Sequence, residues 1–581
     1  MLEGRTIGRL HILAVVVGAF LVLAAPVFAA SQGSAKTAIA PIVLAPAFAP
    51  ADLGVYAGAD WPVVGGDYQG DRYSSLNQVT TANVSSLKEA WHIHLGSATG
   101  TPYHGEGTPL VYKGVMYMVT GNDDVFALDA ATGAQIWSYH SSLPLNLTNI
   151  CCGWDARGLG LGEGRVYLAQ LDGKIVALNQ ADGTPLWSAT NGRFQEGYTE
   201  TMAPLYYNGL VIVGVSGSEQ GARGSETAYD AKTGRRVWRF YNIPTPGDVG
   251  SGTWPNNSEW QVGGGTVWNT PTVDPTTNTL VYTTANTDPW SGRGPGDDLF
   301  TASFVALDAN SGDYRWHFQV VHHDIWDYDC PSPTLMFDTT IAGKTVHAVG
   351  EPCKTGWLYE IDRNTGNPVT QIDEKPVPQN NFNATALTQP IPAGDAFAEQ
   401  CPKATDFPAT APDGKPFIIG CIWQPYDDQQ FVGTAPGTSG GSVVSNSSYN
   451  PNTGLFYIIS ANSRQGEKGI PNASSLYRNG RSFTGRQGGG TATGFVTTGD
   501  LTAMAVTTNK IGWKQHYTPT GANTSWIPGG AQPGTMTSAG NLVFSGIPGG
   551  VSWGLNAYNA TTGALVWSSA TDAAVEAGPI S

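Results

Sequence analysis

Charged residues are scarce in this sequence. They make up 13% of 581 residues, and basic ones are the scarcer, 30 Lys+Arg against 46 Asp+Glu, for a formal net charge of -16. Phosphates need a basic footprint, so this balance speaks against a nucleic-acid partner. There are only six cysteines, and none lies in a Cys-x-x-Cys-His run, which excludes covalently attached haem. Beyond residue 28 no apolar run is long enough to span a bilayer. What is plentiful is glycine, 74 residues, and tryptophan, 18. That composition suits many short strands joined by tight turns, with aromatics packed between sheets.

At the N-terminus, Arg5 and Arg9 precede an apolar run from Ile12 to Phe28, closed by small residues around Val27-Phe28-Ala29. Residues 1–29 therefore read as a secretion signal. The competing reading is an uncleaved anchor, but the run is slightly short and Pro26 interrupts its end. Residues 30–58 are Ala/Pro-rich and read as a linker, which leaves no membrane span once the signal is cleaved. Export to the periplasm, or secretion, makes disulfides admissible. Length alone suggests roughly four domains. An internal repeat overrides that prior and makes 59–581 one domain.

The repeat reads ALDAATGAQIW at 127–137, ALNQADGTPLW at 177–187, AYDAKTGRRVW at 228–238, ALDANSGDYRW at 306–316 and AYNATTGALVW at 557–567. EIDRNTGNPV at 360–369 is a degenerate copy, and weaker members end at Trp91 and Trp513, for eight units. In each, alternating apolar residues form a strand, Asp or Asn with a following Gly forms a tight turn, and a second strand ends in Trp. Trp137, Trp187 and Trp238 are about 50 residues apart, room for a four-stranded sheet. The pattern predicts an all-β, eight-bladed β-propeller whose tryptophans dock between blades. Wider spacings mark insertions at about 239–300 and 370–500, placed on the functional face. The chain stops at Ser581, soon after the last repeat. Residues 61–76, WPVVGGDYQGDRYSSL, are the candidate for closing the ring; a sequence that continues further is the open alternative.

Cys151 and Cys152 are adjacent, and a bond between neighbours needs unusual peptide geometry. The string CCGWDARGLGLGEGRVYLAQLDGKIVALNQADGTPLW, from Cys151 onward, resembles the vicinal-cysteine segment of pyrroloquinoline-quinone-dependent methanol and alcohol dehydrogenases. The likeness extends over nearly all of the chain from Trp61, with the motifs in the family's order. It implies an eight-bladed propeller, a quinone on its axis, and oxidation of an alcohol, polyol or sugar hydroxyl. It also implies that Cys151–Cys152 stacks on one face of the quinone and Trp268 on the other. Trp268 lies outside the turn-strand repeat, and a flat ring stacks well between two flat surfaces. Glu106, Arg157, Thr201, Ser216, Gly217, Ser218 and Lys354 match further cofactor contacts, with Arg157 facing the quinone's carboxylates.

Glu219 and Asn286 match the family's metal ligands, and their oxygens suit Ca²⁺. In HHDIWDYDCPSP (322–333), Asp327 matches the catalytic base and a metal ligand. It would take the hydroxyl proton while the carbinol hydride passes to the quinone C5, polarised by the metal. Asp324 is expected to order this loop. Asp329 resembles the extra ligand of lanthanide-using methanol dehydrogenases, although Trp-Asp-x-Asp also resembles the sugar and polyol branch. Cys330, Cys353, Cys401 and Cys421 read as structural staples, with three pairings open. The chain departs from its relatives at Val443-Val444, where many carry Asn-Trp; Ser442 or Asn446 is the candidate replacement. With no haem of its own, the chain would need an external electron acceptor, a cytochrome c or a small carrier. Two other readings compete: a non-catalytic propeller scaffold of the cell envelope, and a propeller lyase or hydrolase using the carboxylates and metal directly.

Overall fold

The computed structural model describes residues 40–98, 103–148, 150–255, 258–291, 293–471, 480–488, 497–519, 532–547 and 553–581. The expected signal, and the linker as far as residue 39, lie outside the described residues. The chain is an all-β propeller. Blade 1 comprises Leu110–Tyr112, Val115–Val119, Val125–Asp129 and Gln135–Tyr139, in consecutive antiparallel order. Blades 2, 3 and 4 repeat this order at 160–190, 205–241 and 272–319, and blade 5 at 335–362 has three such strands. Blade 6 (448–517) and blade 7 (535–570) follow. The described helices are 3-10 turns of three or four residues, and none is long and apolar enough to cross a membrane.

The repeat's turn explains how the blades dock. In blade 1, Asp129 accepts hydrogen bonds from the Thr132 N–H at 2.9 Å and hydroxyl at 2.8 Å, closing the loop. Gly133 follows at φ 71°, and a Cβ there would come within 2.5 Å of the Trp91 ring. Glycine is thus required both by the turn and by the tryptophan of the preceding unit. Gly183, Gly234, Gly312, Gly366 and Gly563 repeat the arrangement under Trp137, Trp187, Trp238, Trp316 and Trp513. Each indole N–H donates to a carbonyl of the blade it covers: Trp137 to Gln180 at 3.0 Å, Trp187 to Ala231 at 3.1 Å, Trp238 to Ala309 at 3.2 Å. Blade 5 ends its degenerate copy without a Trp, and blade 6 correspondingly has Asn509 (φ 52°) where the others have Gly.

The eighth unit is represented by residues 84–95 alone. The Trp567 indole of blade 7 donates to the Leu87 carbonyl at 3.2 Å, and the Trp91 indole donates to Ala130 of blade 1 at 3.1 Å. This segment holds the eighth place in the docking series but forms no strand of its own among the described residues. Residues 61–76 contribute as expected to the join: Tyr73–Ser74 pairs in parallel with Thr537–Ser538 as an extra inner strand of blade 7. Arg72, fully buried, donates to the carbonyls of Val64, Thr535 and Pro579. Residues 40–58 are not a loose linker. Their backbone is tied to blade 1 through Ala40 N–H to Asp129 and to blade 2 through Ala45 N–H to Gln180. Ala45, Phe48 and Leu53 are buried, so apolar side chains hold an extended strap across the blades.

The expected insertion at 370–500 divides in two. Residues 370–447 connect blade 5 to blade 6, and residues 463–497 leave blade 6 between its second and third strands. They rejoin in one sheet of Ile418–Ile419, Val432–Thr434, Gln465–Gly469 and Arg486–Gly488. Two short disulfide loops pair Cys401 with Cys421 and Cys330 with Cys353.

Candidate active site

Every expected site residue lies on one face of the propeller. Glu219, Asn286 and Lys354 sit between the second and third strands of blades 3, 4 and 5. Glu106, Arg157, Thr201, Trp268 and Asp327 sit just before a blade's first strand. In an antiparallel meander these two kinds of connection share a face, and the Asp-Gly turns share the other. The strap at 40–58 runs on the turn side, meeting Glu163 and Gly164 of the first-to-second turn of blade 2.

The loop at 322–333 is held by Asp324, as expected: its two carboxylate oxygens accept the N–H groups of Trp326 and Tyr328, each at 2.8 Å. Successive side chains then alternate. Trp326 and Tyr328 are buried against Trp423 of the insertion, with ring centroids 5.4 and 5.6 Å away. Asp327 (φ 67°) and Asp329 turn instead to Lys354, whose ammonium donates at 3.0 Å to the first and 2.8 Å to the second. The Cys330–Cys353 disulfide clamps the two loops together, and the Lys354 N–H donates to the Asp329 carbonyl at 3.1 Å. The remaining Asp329 oxygen accepts the Asn286 N–H.

Burial pushes the Asp327 carboxyl well above the usual range; Lys354 opposes this and Asp329 adds to it. Glu219 is raised by burial and by Asp329, with a hydrogen bond from Asn286 acting the other way. Burial would lower the Lys354 ammonium, but Asp327 and Asp329 outweigh it and hold the proton on. Three buried carboxylates and an amide against one ammonium form an anionic, oxygen-rich set that a hard cation fits. A cation there would favour ionised Asp327, the form a base needs. Cys330, Glu351 and Cys353 converge more tightly, but both sulfurs are in a disulfide and offer no thiolate. Glu219 is placed by Gly217, at φ 107°, where a Cβ would lie 1.9 Å from the Gly197 carbonyl oxygen.

Nearer the axis a second network centres on Arg157. Its guanidinium contacts Glu106 at 2.8 Å and Asp155 at 2.6 Å, donates to the Thr201 hydroxyl at 2.6 Å, and lies 4.9 Å from the centre of the Trp268 ring. Thr201 and Ser216 share a hydrogen bond at 2.8 Å, and Ser218 reaches Thr266 at the same distance. Cys151 and Cys152 are bonded to each other and exposed, six residues and five residues before Arg157. Glu106, Arg157, Asn269, Thr270, Val444, Asn446 and Glu576 border one cavity. Of the two candidates beside Val443-Val444, Asn446 reaches this cavity, whereas Ser442 is bonded to Ser332 at 3.0 Å.

The profile described as PQQ, glucose/ethanol/alcohol dehydrogenase, beta-propeller domain, matches residues 61–581. The chain belongs to the pyrroloquinoline-quinone-dependent alcohol dehydrogenases. It is 33% identical over 545 residues to the quinohemoprotein alcohol dehydrogenase of Comamonas testosteroni, covering 90% of this chain and 70% of that one. It is 32% identical over 573 residues to the dehydrogenase subunit of alcohol dehydrogenase (quinone) from Gluconobacter oxydans strain 621H, covering 90% and 68%. The crystal structure of the Comamonas testosteroni protein superposes with a TM-score of 0.73 at 30% identity, over 90% of this chain and 74% of that one. A europium-containing methanol dehydrogenase gives 0.72 at 26% identity, over 91% and 88%. The chain is therefore an oxidoreductase of alcohol CH–OH groups, dependent on the quinone and a metal ion, which passes electrons to an external partner. These matches support the dehydrogenase over a scaffold.

In this quinoprotein the structure gathers Glu219, Asn286, Asp327, Asp329 and Lys354 in one cluster, and Glu106, Arg157, Thr201, Ser216 and Trp268 in a neighbouring one. Sequence reasoning missed three charged groups. Asp155 was readable, two residues before Arg157 in the same string. Glu576, which accepts the Gly105 N–H at 2.7 Å and adds to the charge around Glu106, had no local signal. Nor did Arg486, which reaches the site from the insertion.

Proposed function

We propose an exported, periplasmic quinoprotein dehydrogenase in which Asp327 is the base and Glu219, Asn286 and Asp327 hold Ca²⁺. The observation that carries this reading is the buried contact of Lys354 with Asp327 and Asp329, beside Glu219 and Asn286. The bound quinone, with the cation at its edge, supplies the two-electron acceptor. Asp327 accepts the proton of the substrate hydroxyl, and Lys354 offers positive charge beside it. Arg157, freed in part from Glu106 and Asp155, pairs with cofactor carboxylates. Trp268 and the Cys151–Cys152 bond offer flat surfaces on either side, while Thr201, Ser216, Gly217 and Ser218 approach the ring edge. Both Asp329 oxygens are engaged, by Lys354 and by the Asn286 N–H. That favours Ca²⁺ over a lanthanide, since the latter calls on Asp329 as a further ligand. Electrons leave to a separate cytochrome c, for which the acidic chain suits a basic partner.

Reconstitution with pyrroloquinoline quinone and either Ca²⁺ or La³⁺, followed by an alcohol and sugar panel with a dye acceptor, tests this. Dye reduction that needs quinone and Ca²⁺ and vanishes in Asp327→Asn is expected. Activity with La³⁺ alone, lost in Asp329→Ala together with the metal, would reverse the metal assignment. Uptake of neither ligand would end the proposal.

A further inference from the structure

The insertion is sewn directly onto the two loops that carry the proposed metal ligands. The Phe483 N–H donates to the Glu219 carbonyl at 2.8 Å. Four residues past Asn286, the Trp290 N–H donates to the Thr484 carbonyl at 2.8 Å, and the Ser291 hydroxyl to the Gly485 carbonyl at 2.5 Å. Arg486 follows, its guanidinium 3.5 Å from the centre of the Trp290 ring and 2.9 Å from Glu467 on the neighbouring strand. Their side chains are 13% and 9% exposed. Arg486 is close enough to Asp327 to favour its ionised form. An arginine, a glutamate and an indole N–H thus form a charged wall beside the proposed base.

This wall carries unspent hydrogen-bonding capacity. Glu467 Oε2, Trp290 Nε1 and Arg486 Nη1 have no hydrogen-bond partner. Each such buried group costs about 1–3 kcal/mol unless a partner reaches it. A hydroxyl both donates and accepts, so neighbouring hydroxyls of one substrate would serve the acid and the two donors together. An alkyl chain would leave all three unpaired. Sites with buried polar groups reject analogues lacking the matching group far more strongly than apolar pockets discriminate by size.

We infer that Arg486 and Glu467, with Trp290, select a polyhydroxylated substrate, an alditol or aldose, over a simple alkanol. The inference rests on the proposal that Asp327 is the base of a carbinol oxidation.

The test compares D-sorbitol with 1-butanol on the quinone- and Ca²⁺-loaded enzyme, using a dye acceptor. The wild type should favour sorbitol in kcat/KM by on the order of 100-fold. Arg486→Met should lower that ratio by about tenfold or more, mainly through KM for sorbitol, and Arg486→Lys should recover part of it. Glu467→Gln keeps the side chain's shape and should also lower the ratio, which covers the case that Arg486→Met fails to fold. The thermal midpoint and quinone absorbance of each variant report whether fold and cofactor are retained. A loaded enzyme that prefers 1-butanol, or a ratio unchanged in folded variants, overturns the inference and leaves the dehydrogenase reading standing. A protein that takes up neither quinone nor metal overturns both.

Discussion

Replacing Lys354 by methionine keeps the length of the side chain and removes its charge. The ammonium is 7% exposed and lies 3.0 Å from Asp327 and 2.8 Å from Asp329, themselves 9% and 4% exposed. Removing one partner of a buried ion pair costs about 3–5 kcal/mol, because the remaining charge stays buried without compensation. Here two carboxylates lose the same partner, so the upper part of that range applies. The unfolding entropy near 60 °C, about 2.1 cal/mol/K per residue, amounts to about 1.2 kcal/mol/K for 581 residues. The expected loss in thermal midpoint is thus about 3–4 °C for metal-free protein. Calcium then supplies positive charge where the ammonium stood. The rise in midpoint on adding Ca²⁺ should be larger for Lys354→Met than for the wild type. Differential scanning calorimetry with and without the ion reads both quantities. A variant that melts within 1 °C of the wild type without metal, and gains no more from calcium, would show that Lys354 does not neutralise this cluster.

Two further outcomes follow from particular residues. Glu360 is buried, with a carboxyl pushed up to about 8 by desolvation against hydrogen bonds from Asn509 and Thr370. Its folded pKa lies above its unfolded value, so it costs nothing at low pH and destabilises increasingly as pH rises from about 4.5 to about 8. Glu360→Gln should therefore melt near the wild type at pH 5 and gain about 3–5 kcal/mol over it at pH 9; a gap that does not widen with pH would refute this. Gly217→Ala removes no ligand, yet its Cβ meets the Gly197 carbonyl at 1.9 Å and must displace the turn that carries Glu219. Metal retained after dialysis, measured by elemental analysis, should fall by about 10–100-fold in affinity, and unchanged retention would count against Glu219 as a ligand.

The propeller was legible because its unit is local. Within eleven residues from Ala127 to Trp137 the strand, the Asp129 turn, Gly133 and the docking Trp all appear, and each has a short-range reason to be there. The cofactor and metal residues were legible for a different cause: they stand in compact strings on single loops, as do Ser216 to Glu219 and Asp327 to Cys330. What stayed hidden depends on distant chain segments meeting. Arg486 lies 159 residues from Asp327, and Glu576 lies 470 from Glu106; neither sits in a recognisable string. The strap at 40–58 read as a linker because alanine and proline signal little by themselves. Its anchors, Asp129 and Gln180, are on other blades.

The alternation along Trp326-Asp327-Tyr328-Asp329 makes this loop a rocker. One set of side chains is gripped by the insertion, through Trp423 and the Gln424 and Pro436 carbonyls, and the other set faces Lys354. With so short a lever arm, tilting the insertion by a small angle must reposition the carboxylates. Grafting a different insertion onto this ring would therefore retune the proton acceptor along with the mouth of the site, and exchanges between relatives would be expected to change turnover and selectivity in step.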